Sequence, residues 1–172
     1  MHQAGSRRPV LGLLLTGACL LLARPGLAQE AVPAGKTVLT ISGKLAGQAD
    51  ARVAFDLARL EALPQRSFTT QTPWQDKPIQ FTGPLLREVL ASVKAQGSQL
   101  KAIALNDYRV SIPVSDTQRF DMVLALRIDG ERIPVRHKGP LFVVYPYDSE
   151  EELRSTLYYS RSIWQLKAIE VE

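Results

Sequence analysis

Residues 141–145, LFVVY, are apolar at every position. Successive side chains of a β-strand point to opposite faces, so a run with no polar face has to be covered on both sides. The stretch therefore calls for a central strand, flanked along both edges and packed above and below. Pro146 ends it, because proline has no N–H to give to a sheet ladder. The flanks are of another kind: Arg136, His137 and Lys138 lead into a Gly139-Pro140 corner, and Tyr145 and Tyr147 surround Pro146 at the far end. His137, Lys138, Tyr145 and Tyr147 carry protonatable or hydrogen-bonding groups that packing alone does not require. They are either the rim of a binding site or ordinary polar edges.

The rest of the chain supplies the elements such a strand needs. KTVLTISGKL and ADARVAFD alternate as half-buried strands do and turn at Gly43, giving an opening hairpin. Asp56 suits the cap of a short helix, with Leu57, Leu60 and Leu63 on one face and Pro64 as its stop. SFTTQTPW is β-branched and aromatic and reads as extended. FTGPLLREVLASVKAQG predicts a helix with Pro84 at its first position, a stripe of Leu85, Leu86, Val89, Leu90 and Val93, and Gly97 as its cap. LKAIAL and YRVSIP are strands about a turn at Asn106 and Asp107, and SDTQRF is a helical turn capped by Ser115. MVLALRI and ERIPV form a hairpin on Asp129-Gly130, with Asp121 and Asp129 as cap and turn residues. DSEEELRS places acids where a helix begins, and IWQLKAIEVE closes as a strand. No repeat or Gly/Ser linker divides residues 36–172, which read as one α+β domain dominated by mixed sheet.

Residues 1–28 read as a secretory signal, with Arg7 and Arg8 ahead of an apolar stretch and small residues at Gly26 and Ala28, cleaved before Gln29. A lipid anchor at Cys19 is the alternative. Residues 29–35 form a linker, and no later stretch is apolar enough for a membrane span. Cleavage predicts a periplasmic or secreted protein. It also removes three of the 21 basic residues, leaving 18 against 17 acids, so the high isoelectric point says little about partners and nucleic acid has no basic footprint to meet. The only cysteine and His2 leave with the signal. The exported chain then has no disulfide, no thiolate chemistry, no Cys/His metal cage, and His137 as its single imidazole.

The blocks FTGPLLREVL, LNDYRVSIP, FDMVLALRIDGE, KGPLFVVYPY and WQLKAIEV, in that order, resemble the oxidoreductase molybdopterin-binding domain, the sulfite-oxidase fold. The resemblance implies a mixed, strongly twisted sheet with a few short helices and, in catalytic members, a molybdenum-pterin in a groove lined by loops. It also implies a molybdenum-ligating cysteine on the loop before the FTGPLL block. Here the place belongs to Thr70 or a neighbour such as Thr72, and a neutral hydroxyl is no substitute for a soft thiolate. The family's G-x-P-x-R arginine corresponds to Phe142, and the basic residue before the last strand falls nearest Trp164.

These departures predict an exported, non-catalytic member that binds a small molecule or a periplasmic protein in the former cofactor groove, with no cofactor. The alternatives are a molybdopterin-binding oxidoreductase active without a cysteine ligand, and a structural interaction module. The candidate binding residues are Trp74 as an aromatic wall, the turn Asn106, Asp107 and Tyr108, the flanks His137, Lys138, Tyr145 and Tyr147, and Arg161 as an anion contact. Trp164 could line the same groove but is read as a plug of the core.

Overall fold

The computed structural model describes residues 1–2 and 34–172; residues 3–33, which hold most of the stretch read as a signal, Cys19 and most of the expected linker, lie outside the described residues. β1 (Leu39–Leu45) and β2 (Gln48–Phe55) form the opening hairpin. Its turn is at Ala46 and Gly47, both with positive φ, rather than at Gly43. Gly43 instead marks a register shift in β1, where a Cβ would stand 2.2 Å from the Val171 carbonyl oxygen, so only glycine lets the neighbouring strand come this close.

Asp56 caps α1 (Leu57–Glu61) by accepting from the Arg59 N–H, as predicted. β3 (Gln65–Thr70) pairs with β4 (Ile79–Pro84). α2 (Leu86–Ser92) is shorter than its sequence pattern. Pro84 closes β4 instead of opening the helix, the Leu86, Val89 and Leu90 stripe is buried, and Lys94 takes the left-handed conformation expected of Gly97.

β5 (Gln99–Ala104), β6 (Arg109–Pro113) and α3 (Val114–Arg119) follow, α3 beginning without a cap from Ser115. β7 (Val123–Ala125), β8 (Arg127–Ile128) and β9 (Glu131–Arg132) come next, with the hairpin at Asp129-Gly130 in place. β10 (Phe142–Val144) is the apolar run, and it is central as its composition demands, between β7 and β11 (Ile163–Trp164). The acidic segment makes only a 3-10 turn, Glu151–Leu153, and the helix comes later as α4 (Thr156–Arg161).

The closing stretch is not one strand. Gln165 has φ +51° and divides it into β11 and β12 (Leu166–Val171), which serve different sheets. β12 joins a five-stranded sheet, β2-β1-β12-β5-β6, parallel to β1 and antiparallel to β5. A third sheet has the order β3-β4-β8-β9. One apolar cluster joins residues of all three sheets, including Ile41, Phe81, Leu100, Phe142 and Ile169. The result is the sheet-dominated mixed α+β domain with a few short helices that the sequence resemblance implies.

Candidate functional site

The kink at Gln165 creates an opening. Where β11 leaves its sheet, α4 and the β5–β6 turn face each other across a cleft of about 490 Å³. Its walls are Trp74, Tyr108, Tyr159, Ile163 and Trp164, with the neutral polar groups of Asn106, Thr156, Ser160 and Ser162 around them. No charged side chain among the described residues lines it. Apolar walls with a few placed polar groups are what small-molecule sites commonly present.

The aromatic wall has a specific build. Phe142 and Trp164 are cross-strand partners of β10 and β11, with rings 6.0 Å apart and edge-to-face. Trp74 reaches them from the 71–75 loop, 5.9 Å from the Phe142 ring and 5.4 Å from that of Trp164. Tyr147 and Tyr159 also meet its ring edge-to-face. Edge-to-face pairs of this kind add roughly 0.5–1.5 kcal/mol each beyond the area they bury. They hold the indole of Trp74 in place on a loop that would otherwise be weakly fixed. The loop is also tied down by Asp148, whose carboxylate accepts from the Gln71 N–H and whose own N–H donates to Thr70 Oγ1.

Beside the cleft is a second hollow of about 520 Å³, with Trp164 common to both. His137, Lys138 and Arg136 line it, with Glu131 and Arg132. Lys138 follows the 3-10 turn Val135–His137 in a left-handed conformation, ahead of a cis Gly139-Pro140 bond. Its carbonyl accepts from the Gln165 N–H, and the Gln165 side chain donates to the Val135 carbonyl. The kink that opens the cleft thus fixes the loop bearing Lys138. Gly139 is pressed against the same loop, where a Cβ would lie 1.8 Å from the Ile133 carbonyl oxygen.

The predicted site residues part company here. Trp74, Asn106 and Tyr108 line the cleft, Tyr108 with 52% of its surface exposed. Asp107 does not. Its carboxylate bonds Lys167, which holds its pKa below the usual range. His137 and Lys138 belong to the adjoining hollow.

Tyr145 and Tyr147 are not a rim, for both are 0% exposed. The Tyr145 hydroxyl donates to Asp116 Oδ2 at 2.7 Å, and the Tyr147 hydroxyl shares a hydrogen bond with Ser162 Oγ. Burial pushes both phenols well above the ordinary tyrosine range. Arg161 is committed to the same core network, 2.8 Å from Asp116 Oδ2, and does not line the cleft.

Trp164, read as a core plug, is instead 37% exposed and a wall. Thr156, Tyr159 and Ser160 were not foreseen. Their i, i+3, i+4 spacing was the available signal, hidden because the acids before them drew the helix start too early.

The donor set bears on a cofactor. Thr70 Oγ1 accepts from the Asp148 N–H and Thr72 Oγ1 from the Trp74 N–H, so both hydroxyls serve the loop. The two positions where the resemblance implies cations are Phe142 and Trp164, which face each other in register. No group of three or more His, Cys, Asp or Glu among the described residues is placed to hold a metal. These residues do not fit a thiolate-held molybdenum centre with an anionic pterin.

Residues 31–149 match the oxidoreductase molybdopterin binding domain. Compared with curated proteins, the chain matches none. A match over well over half the sequence, together with this mixed fold, shows that the chain belongs to the oxidoreductase molybdopterin-binding domain family.

Proposed function

We propose that this is an exported, non-catalytic member of the family that binds a small, largely apolar planar ligand in the cleft between Trp74, Tyr108, Tyr159 and Trp164. One observation carries the reading. The positions at which the family's resemblance implies a thiolate and two cations come together here as a threonine-bearing loop, Phe142 and Trp164, with Trp74 closing the group. A charged, metal-holding surface has become an aromatic one. Such walls favour ring systems by dispersion and edge contacts, while Asn106 and Ser160 offer neutral hydrogen bonds to orient them.

Binding of 2-naphthamide, followed by calorimetry on protein purified from its own cells, tests the reading. Saturable binding that is lost on Trp74→Ala and weakened on Tyr108→Ala supports it. Binding indifferent to both substitutions contradicts it. His137→Ala leaves it unchanged, since that imidazole lies in the neighbouring hollow.

The second reading is a molybdopterin oxidoreductase working without a protein thiolate. The family match favours it. The donor chemistry of the cleft favours the first.

A further inference from the structure

Lys138 is the charge that the cleft's own lining lacks. Its Nζ lies 5.2 Å from the ring centres of Trp74 and Trp164 and 6.0 Å from that of Phe142. Other half-buried cations among the described residues meet an acceptor. Arg87, Lys101, Arg127, Arg161 and Lys167 pair with Asp121, Glu170, Glu61, Asp116 and Asp107, and Arg59 donates to the Ala54 carbonyl. Lys138 Nζ has no carboxylate within ion-pair distance among the described residues. Its pKa is lowered by burial alone, with no opposing charge to restore it. Rings attract a cation, but by less than a carboxylate does at hydrogen-bond distance. The ammonium is therefore only partly solvated, its loop is fixed by the Gln165 contacts, and it lacks a carboxylate partner among the described residues.

We infer that the ligand of this cleft is a planar aromatic acid, its ring system held against Trp74 and Trp164 and its anionic group taken by Lys138 Nζ across the edge of Trp164. The inference rests on the aromatic-cleft reading and adds the charge of the ligand to it. Two features select an anion over a cation. The indole faces already hold an ammonium, so a second cation would be repelled, and in the same hollow the charges of Arg132 and Arg136 outnumber that of Glu131. The aromatic body follows from the walls, since Trp164 borders both the cleft and the hollow and offers a continuous surface from one to the other.

The test compares 2-naphthoate, 2-naphthamide and 2-naphthylmethylammonium by calorimetry on protein purified from its own cells. Tryptophan emission is the second readout, because both tryptophans of the chain, Trp74 and Trp164, lie at the site. The acid should bind about 10- to 100-fold more tightly than the amide, the range expected for one charge-assisted hydrogen bond. Lys138→Met should erase that difference while leaving the amide's affinity unchanged, and Lys138→Arg should keep it. Equal affinities in the native protein, a preference for the ammonium, or a difference that survives Lys138→Met would each overturn the inference. Amide binding that depends on Trp74, without preference for the acid, removes this inference alone. If neither acid nor amide binds, the aromatic-cleft reading fails with it.

Discussion

Replacing Asp116 by alanine isolates the network that supports the cleft from behind. The carboxylate is buried, accepts from the Tyr145 hydroxyl and pairs with Arg161, whose side chain keeps 20% of its exposure. Removing one partner of a buried pair leaves an uncompensated charge and typically costs about 3–5 kcal/mol; the remaining solvent access of Arg161 puts this case near 3 kcal/mol. For a domain of this size that is roughly 10 °C in Tm. Tyr145→Phe alone removes one hydrogen bond and should cost about 1 kcal/mol. In the Asp116→Ala background the same change removes an orphaned buried hydroxyl, so it should be neutral or stabilising. The coupling between the two is then about 1–2 kcal/mol. Urea denaturation of the four proteins, with m-values held equal, measures it. An Asp116→Ala cost below about 1 kcal/mol, or a Tyr145→Phe effect identical in both backgrounds, would refute the network.

Other perturbations probe the loop, the wall and the helix cap. Gly139→Ala should cost about 2–3 kcal/mol by thermal denaturation, because its Cβ meets the Ile133 backbone at 1.8 Å and neither side can yield without moving the loop of Lys138. Trp164→Ala should cost about 2–3 kcal/mol, since the ring gives up its edge-to-face contacts with Trp74 and Phe142 while part of it is exposed, and should abolish binding in the cleft as read by calorimetry. Hydrogen bonds from the Arg59 and Gly35 N–H groups hold the pKa of Asp56 below its ordinary value. A carboxyl with a lowered native pKa contributes stability above its unfolded pKa and loses it as pH falls through the native one. Asp56→Asn should therefore flatten the stability profile below about pH 4, and an unchanged acid limb in denaturation curves would contradict the cap.

Period and punctuation carried the local fold. The all-apolar 141–145 run had to be central, Asp56 had to cap, and Asp129-Gly130 had to turn, each because one local group has few ways to be satisfied. What was not legible depended on distant partners. Gly43 looked like a turn residue, and its reason is the Val171 backbone more than a hundred positions away. The closing strand looked continuous, because nothing in its own composition announces a left-handed glutamine held by the Lys138 and Val135 carbonyls.

The same limit governs the site. Trp74 and Tyr108 were identifiable as aromatic groups next to turns, but tyrosines beside a proline look alike whether their hydroxyls meet a ligand or a buried acid. Asp116, which decides the matter for Tyr145, stands in a separate segment, on α3. Arg161 was misread for the same reason.

The central claim, that this family member's groove now serves aromatic recognition instead of molybdenum chemistry, is tested most directly by the molybdenum content of the protein isolated from its own cells. The account predicts a colourless protein with molybdenum far below one atom per chain. One tightly held molybdenum per chain, with the visible absorption of a bound pterin, would contradict it.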